Sequence, residues 1–313
     1  MIQATAPGKV ILFGEHAVVY RRPAIAVPVA DVQASASLEP AETGSGFRII
    51  AADLGRDYTL DQAQPDDPLA AVVRLTLGHL GQATPPAVTL HVTSTIPLGR
   101  GLGSGAAVST AIARALAQFL GRPLPPAEVS ALVYEVEKLH HGTPSGVDNT
   151  VIAFGQPVYF VRGEPPIIRR MRVAQPFTLV IGDTGVVAPT RAVVGDLRQR
   201  WQAEPECYEG YFDEIAVIVK QARVAIETGS LSLPALGKLM NDNQEILETL
   251  GVSSPELGQL IAAAREAGAW GAKLSGAGWG GNMMALPAPE LAPTVAQALR
   301  QAGATGVIVT EVK

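Results

Sequence analysis

Apolar and polar residues alternate over residues 88–92, the pattern of a half-buried strand. Over residues 108–120 the period changes. Val108, Ala111, Ile112, Ala115, Leu116 and Phe119 recur at three- and four-residue spacing, which predicts a helix. Between strand and helix lie residues 97–107, with Gly99, Gly101, Gly103 and Gly105 at every second position. Upstream, residues 2–31 read as extended. A short apolar run over 9–13 is stopped by Gly14, and a second over 24–29 follows a turn at Arg21-Arg22-Pro23. Strand patterns cover 32–38 and 47–51, with turn-rich text at 40–46 and 53–57, and helical spacing covers 69–80. Pro125-Pro126 opens a further helix, since proline is tolerated in a first turn. That helix runs from about 127 to 139 with Val129, Leu132, Val133 and Val136 on its apolar face, and ends in a polar, turn-forming segment at 140–149.

Between 163 and 175 the chain becomes polar and basic, with Pro165-Pro166 and Arg169-Arg170. The expected domain boundary falls there, giving domains 1–170 and 171–313. Beyond it the patterns predict a strand at 177–181, helices at 190–201, 207–228, 234–249 and 255–267, and a strand at 270–275. A glycine loop, a strand at 282–286, a helix at 290–302 and a strand at 306–312 complete the chain. A split β-α-β-β-α-β arrangement with helices on one face fits this half, and the fold class is α+β.

Composition narrows the functional classes. The chain has 313 residues, 47% of them hydrophobic and 17% charged, with a formal net charge of −5. No basic run or stripe suggests nucleic acid as a partner. The one cysteine, Cys207, gives no support for an oxidising compartment. Residues 1–9 lack a basic-then-apolar leader pattern and no apolar stretch approaches a membrane span, so a soluble cytoplasmic protein is the expectation.

A strand, a glycine loop and a helix in succession expose several backbone N–H groups at a helix N-terminus, where the macrodipole adds partial positive charge. Glycine lets the backbone approach an anion without a Cβ in the way. A polyphosphate is the natural ligand, and a ligand-free glycine turn is the alternative. No Gly-Lys-Ser/Thr follows the glycines, which excludes a Walker loop. The loop also lacks the βαβ setting of a dinucleotide fingerprint.

Three separated segments share an explanation: residues 6–19 (Ala-Pro-Gly-Lys-Val-Ile-Leu-Phe-Gly-Glu-His-Ala-Val-Val), the loop at 97–107, and residues 273–281 (Lys-Leu-Ser-Gly-Ala-Gly-Trp-Gly-Gly). In order and spacing they resemble the three motifs of the GHMP small-molecule kinases. The segment His141-Gly142-Thr143-Pro144-Ser145-Gly146-Val147-Asp148-Asn149, with Asn243-Gln244-Glu245-Ile246-Leu247 and Gly251-Val252-Ser253, is similar to the branch of that superfamily that phosphorylates mevalonate.

The resemblance implies a two-domain GHMP kinase fold, with a ribosomal protein S5 domain 2-like N-terminal domain that binds ATP and a ferredoxin-like C-terminal domain. It implies Mg²⁺, with ATP as co-substrate, and transfer of the γ-phosphoryl to the C5 hydroxyl of mevalonate. Asp148 matches the catalytic aspartate, although its type also suits a helix N-cap, and Lys9 matches the motif lysine beside it. ATP-binding positions are Pro97, Gly99, Gly101, Leu102, Gly103, Ser104, Gly105 and Ala106, with Gly276 and Gly278. Glu137 matches the magnesium-binding glutamate, and Ser104 is the nearest hydroxyl because Gly105 stands where the family places a second serine. Glu15, His16, Thr190 and Arg191 match substrate-side positions, while Trp279 is unusual and is expected to shape the mouth of the site. His140 and His141 form no zinc spacing with Cys207 and read as loop structure. A homodimer is common in such kinases. The alternatives are a kinase of the same superfamily acting on phosphomevalonate or a sugar, and a nucleotide-binding regulator without turnover, to which only Gly105 points.

Overall fold

Strand β1 (Ile2–Phe13) changes character half-way. Its first residues alternate between solvent and core, while Val10, Leu12 and Phe13 are fully buried. Strand β2 (Pro23–Pro40) does the same in reverse: residues 23–29 are buried almost without interruption, and from Val32 onward only Val32, Ala34, Ala36 and Leu38 point inward. A strand covered on both faces reads as a continuous apolar run, and one covered on a single face alternates. The computed structural model describes residues 1–141 and 144–313. The chain divides into two compact units. One comprises residues 1–9, 32–98 and 102–155, and the other residues 10–31, 99–101 and 156–313, so the changes of pattern in β1 and β2 fall at the points where the chain passes between units.

In the first unit, the later half of β2 is followed by β3 (Phe47–Ala51), β4 (Arg56–Thr59), α1 (Pro68–His79), β5 (Val88–Ser94), α2 (Ser104–Phe119), α3 (Pro126–His141) and α4 (Val147–Phe154). The strands lie in the order β4-β3-β5-β2. β5 pairs antiparallel with β2 and parallel with β3, the β3–β5 connection running through α1. The core is built from inward strand residues such as Leu38, Ile49 and Leu90 and from helix residues such as Val72, Ile112 and Leu116. Helix α2 is buried more widely than its spacing predicts, because Ala107, Ala113, Ala115 and Ala117 are small enough for neighbouring helices to close on it.

The second unit holds β6 (Val158–Val161) and β7 (Ile167–Arg170), which extend the earlier half of β2 as antiparallel neighbours. It continues with β8 (Phe177–Asp183), α5 (Thr190–Ala203), α6 (Pro205–Thr228), α7 (Leu233–Thr249), α8 (Pro255–Glu266), β9 (Gly271–Ser275), β10 (Asn282–Leu286), α9 (Ala292–Gln301) and β11 (Gly306–Val312). The sheet order β11-β8-β10-β9, antiparallel throughout, is the split β-α-β arrangement expected from the sequence, with four helices in place of the first one. Helix α7 packs along the edge strand β9 and completes its hydrogen bonding. Asn241 Oδ1 accepts from Ala272 N–H and Gln244 Oε1 from Leu274 N–H, which covers an otherwise open edge. Among the described residues no helix is long and apolar enough to cross a membrane.

Several expectations shift. Helix α2 begins at Ser104 rather than 108, so the last part of the predicted loop is helical. Strand β4 occupies a stretch read as turn-rich, and α4, β6 and β7 occupy stretches without a clear period, since each is too short for one. Helix α3 continues to His141, so the backbone of His140 and His141 forms its last turn instead of a loop. Gly142 and Thr143 of the 141–149 segment lie outside the described residues.

Candidate active site

In the first unit the site is built at the start of α2. Gly103 is the N-cap residue and takes a left-handed conformation, φ 73°. A Cβ there would stand 2.8 Å from Ile152 Cδ1 and 3.0 Å from Lys9 Cγ, so only glycine lets the Lys9 stem lie against the turn. The backbone closes the same contact: Lys9 N–H donates to Leu102 O at 3.0 Å. The N–H groups of Ser104, Gly105 and Ala106 are in the first helical turn, where no intrahelical acceptor is available. Pro97 and Gly99 are exposed ahead of them, and Leu102 is buried.

Lys9 Nζ lies 3.0 Å from Asp148 Oδ1; the lysine side chain is 4% exposed and the aspartate 33%. Asp148 is in the first turn of α4, whose N-cap is Gly146 at φ 87°, so Asp148 is not the cap that its type alone suggested. A carboxylate in a first turn is stabilised by the helix dipole. The next two residues fix the rotation of α4. Asn149 donates to Ser130 O and Oγ on α3, and Thr150 Oγ1 donates to Gly146 O at 2.6 Å. With Asn149 and Thr150 buried, Asp148 is the residue of this turn left half open. Arg114 of α2 ties down the other end, donating to Thr5 O on β1 and Ala153 O on α4. Glu137, on α3, borders the same helix start: a Cβ at Gly105 would be 3.4 Å from Glu137 Oε1. Among the described residues no group of three or more His, Cys, Asp or Glu forms a metal cluster. One carboxylate beside a helix N-terminus would nevertheless be a sufficient protein contribution for Mg²⁺, which binds mainly phosphate oxygens and water.

In the second unit, residues 99–101 are held by two contacts. Arg100 Nε is 3.3 Å from Asp183 Oδ2, and Asn282 Nδ2 donates to Arg100 O. The loop between β9 and β10 carries Gly276 and Gly278. Gly278 sits at φ 88°, and a Cβ there would be 1.9 Å from Val252 O, so no side chain fits. Trp279 N–H donates to Val252 O at 2.8 Å and its indole N–H to Gly251 O at 2.9 Å, which makes Trp279 an anchor on the turn after α7.

Glu15 and Lys273 form an ion pair with both side chains fully buried, and Lys273 also donates to Leu274 O at 2.7 Å. Burial pushes the Lys273 ammonium down from its ordinary value, and Glu15 pulls it back. His16 is buried, and its Nε2 is 2.8 Å from Ala277 O. Because a carbonyl only accepts, Nε2 carries the proton. Burial lowers the imidazole from 6.5 to about 4, so the ring is neutral at physiological pH. The turn bearing these residues is pinned by Tyr20, stacked on Phe212 at 4.2 Å, and by Arg22, paired with Glu209 and Asp213. Thr190 and Arg191 are exposed in the first turn of α5.

Sequence reasoning gave no role to Lys273, Asn149, Arg100 or Asp183. Lys273 lies within the third motif, but its partner is 258 residues away.

Residues 68–156 match the GHMP kinases N terminal domain, and residues 222–305 match the GHMP kinases C terminal domain. The chain is 37% identical over 326 aligned residues to a mevalonate kinase of Thermococcus sibiricus, covering 98% of this chain and 95% of that one. A mevalonate kinase of Pyrococcus abyssi is 35% identical over the same shares. Among solved structures, L. major mevalonate kinase in complex with R-mevalonate superposes with a TM-score of 0.84 at 29% identity, covering 99% of this chain and 95% of that chain.

Proposed function

Because the chain belongs to the mevalonate kinase family of the GHMP kinases, we propose that it transfers the γ-phosphoryl group of ATP to the C5 hydroxyl of mevalonate. Phosphoryl transfer needs a phosphate cradle, local positive charge and a group that orients or deprotonates the acceptor hydroxyl. The observation that carries the reading is the Lys9–Asp148 pair, 3.0 Å apart and half open, beside the first turn of α2.

Asp148 accepts the proton of the mevalonate hydroxyl, or holds its oxygen in line with the γ-phosphorus. Lys9 orients that carboxylate, and its ammonium offsets the negative charge that grows on the acceptor oxygen. The N–H groups of Ser104, Gly105 and Ala106 bind phosphate oxygens at the positive end of α2. Gly276 and Gly278 supply a second main-chain cradle. Glu137 and the Ser104 hydroxyl fit Mg²⁺. When bound, the ion neutralises phosphate charge. Arg191, with Thr190 beside it, takes the substrate carboxylate, for which a planar guanidinium fork is suited. Residues 1–170 form the ATP-binding half in this reading. A cytoplasmic location and a homodimeric assembly belong to it as well.

The test is ADP release by purified protein with Mg-ATP and, in turn, mevalonate, phosphomevalonate, homoserine and galactose. Turnover is expected with mevalonate alone. Turnover confined to one of the other acceptors overturns the substrate assignment.

A further inference from the structure

Residues 11–16 and 273–277 are fastened together within the second unit. Ile11 N–H donates to Ser275 Oγ at 3.2 Å, and Ser275 Oγ–H donates back to Ile11 O at 3.2 Å. Glu15 closes on Lys273 inside the protein, and His16 Nε2–H reaches Ala277 O at 2.8 Å. The first three contacts fix the end of β9. The fourth lies in the loop itself.

The two halves of that loop are held differently. Trp279 and Gly281 are fixed by backbone bonds to Val252 O and Val186 O, and Thr184 N–H donates to Gly281 O. The hydrogen bond from His16 to Ala277 O is, among the described residues, the one that holds the Ala277–Gly278 peptide plane. Among the described residues, the N–H groups of Gly276, Ala277 and Gly278 have no protein acceptor. Successive free N–H groups in glycine-rich chain form a concave anion site only when their peptide planes are fixed. In a trans peptide the carbonyl and the following N–H point in opposite directions. Drawing Ala277 O toward His16 therefore turns the Gly278 N–H to the far side.

We propose that His16, supported by Glu15, is a positioning residue for the nucleotide, holding the Ala277–Gly278 peptide so that the 276–278 amides face the phosphates. The proposal rests on the reading of this loop as an ATP cradle. It replaces a direct contact of Glu15 or His16 with mevalonate. Glu15 is fully buried with its carboxylate on Lys273, and His16 is 5% exposed with its single N–H given to Ala277, so burial keeps the remaining ring nitrogen from solvent. A group that binds a diffusing substrate needs a donor or acceptor within the substrate's reach.

The experiment compares wild type with His16→Phe and His16→Gln, whose side-chain amide can still donate to Ala277 O. Three quantities are read: hydrogen exchange of peptides covering 276–281, ATP affinity by calorimetry, and the separate KM values for ATP and mevalonate. His16→Phe is expected to speed loop exchange and weaken ATP about tenfold each, the size of one buried hydrogen bond, with KM for mevalonate within about twofold. His16→Gln is expected to restore most of both. If His16→Phe does not fold, His16→Asn, too short to reach Ala277, replaces it. A rise in the mevalonate KM with unchanged loop exchange and ATP affinity overturns the proposal, as does His16→Gln behaving like His16→Phe. Loop exchange and ATP affinity do not involve the acceptor. A wild type that binds ATP but phosphorylates a different alcohol therefore removes the mevalonate reading and leaves this one standing.

Discussion

Two lysine–carboxylate pairs, one in each unit, have the same chemistry and different surroundings. In the first unit Lys9 is buried but Asp148 is one-third exposed, so the pair presents a carboxylate edge to whatever approaches. In the second unit Lys273 and Glu15 are both sealed from solvent. The contrast shows how burial, not residue type, divides the roles. A half-open pair keeps an ionised oxygen available for a proton or a hydroxyl. A closed pair presents no atom to solvent, and its effect on function passes through the backbone it holds. In the sequence both lysines sit next to glycine-rich motifs and look alike.

The largest expected effect is at the open pair. Asp148→Asn keeps the shape and a hydrogen-bond acceptor for Lys9 but loses the negative charge. Turnover is expected to fall about 10²- to 10⁴-fold, with the circular dichroism spectrum unchanged. Turnover within a few-fold of wild type would remove Asp148 from the chemistry. The closed pair should respond in the opposite sense, through stability. Lys273→Met takes the ammonium away from the buried Glu15 carboxylate and is expected to cost about 3–5 kcal/mol in denaturant unfolding. The double change Lys273→Met with Glu15→Leu should recover much of that loss, because the uncompensated charge is gone. A double variant no better than the single would show that the pair's cost is not electrostatic.

Next in size is the acid sensitivity of the region around the closed pair. The folded state holds the His16 imidazole at about 4, against 6.5 for the free side chain. The unfolded chain therefore binds the proton first as pH falls. The stability that neutral His16 allows is complete above 6.5, declines as pH drops, and is lost below 4, a total of about 3 kcal/mol. Since carboxylates titrate over the same range, the measurement is the difference between wild type and His16→Gln in chemical denaturation at pH 7 and pH 4. The gap between them should shrink or reverse at pH 4. A gap independent of pH would show that the folded and unfolded states bind the His16 proton equally, so that burial does not lower the imidazole.

Much of this comparison was legible in advance on one side only. The run of glycines, Lys9 and Asp148 announced the open pair because each sits in a motif with a chemical reason for its residue types. The strand–loop–helix frame followed from two changes of period, at 92 and 108, although the helix starts earlier because Gly103 caps it from a left-handed conformation. The split β-α-β arrangement of the second unit was also readable, since its helices carry strong periods and its strands are apolar runs between them. Short elements were not. Helix α4 is eight residues long, and its orientation depends on Asn149 reaching Ser130, a contact no local pattern encodes. The closed pair was invisible for a related reason. A buried salt bridge between residues 15 and 273 leaves no periodic trace, and a charged residue in an apolar run reads as a strand edge. Trp279, expected to shape the mouth of the site, gives its indole N–H to Gly251 O, a contact across 28 residues that no local pattern encodes.

The smallest predicted effect returns to the open pair and concerns Gly105. The position lies in the first turn of α2, and an added Cβ would meet Glu137 Oε1 at 3.4 Å, an ordinary contact. Serine therefore fits there without displacing the helix, and it is also the better helix former by a few tenths of a kcal/mol. Its hydroxyl would stand beside the Glu137 carboxylate, giving Mg²⁺ one more side-chain oxygen at a position that now has no side chain. Gly105→Ser is expected to lower the Mg²⁺ concentration for half-maximal rate several-fold, the equivalent of about 1 kcal/mol for one added ligand contact. It should also raise the thermal midpoint more in Mg-ATP than in ATP with chelator, a readout independent of turnover. The opposite result, an unchanged Mg²⁺ requirement with an intact α2, would mean that Glu137 is not turned toward the ion. Its carboxylate would then act on the α2 N–H groups in place of the metal, which would make the first unit's helix start, like the second unit's buried pair, a device that positions backbone.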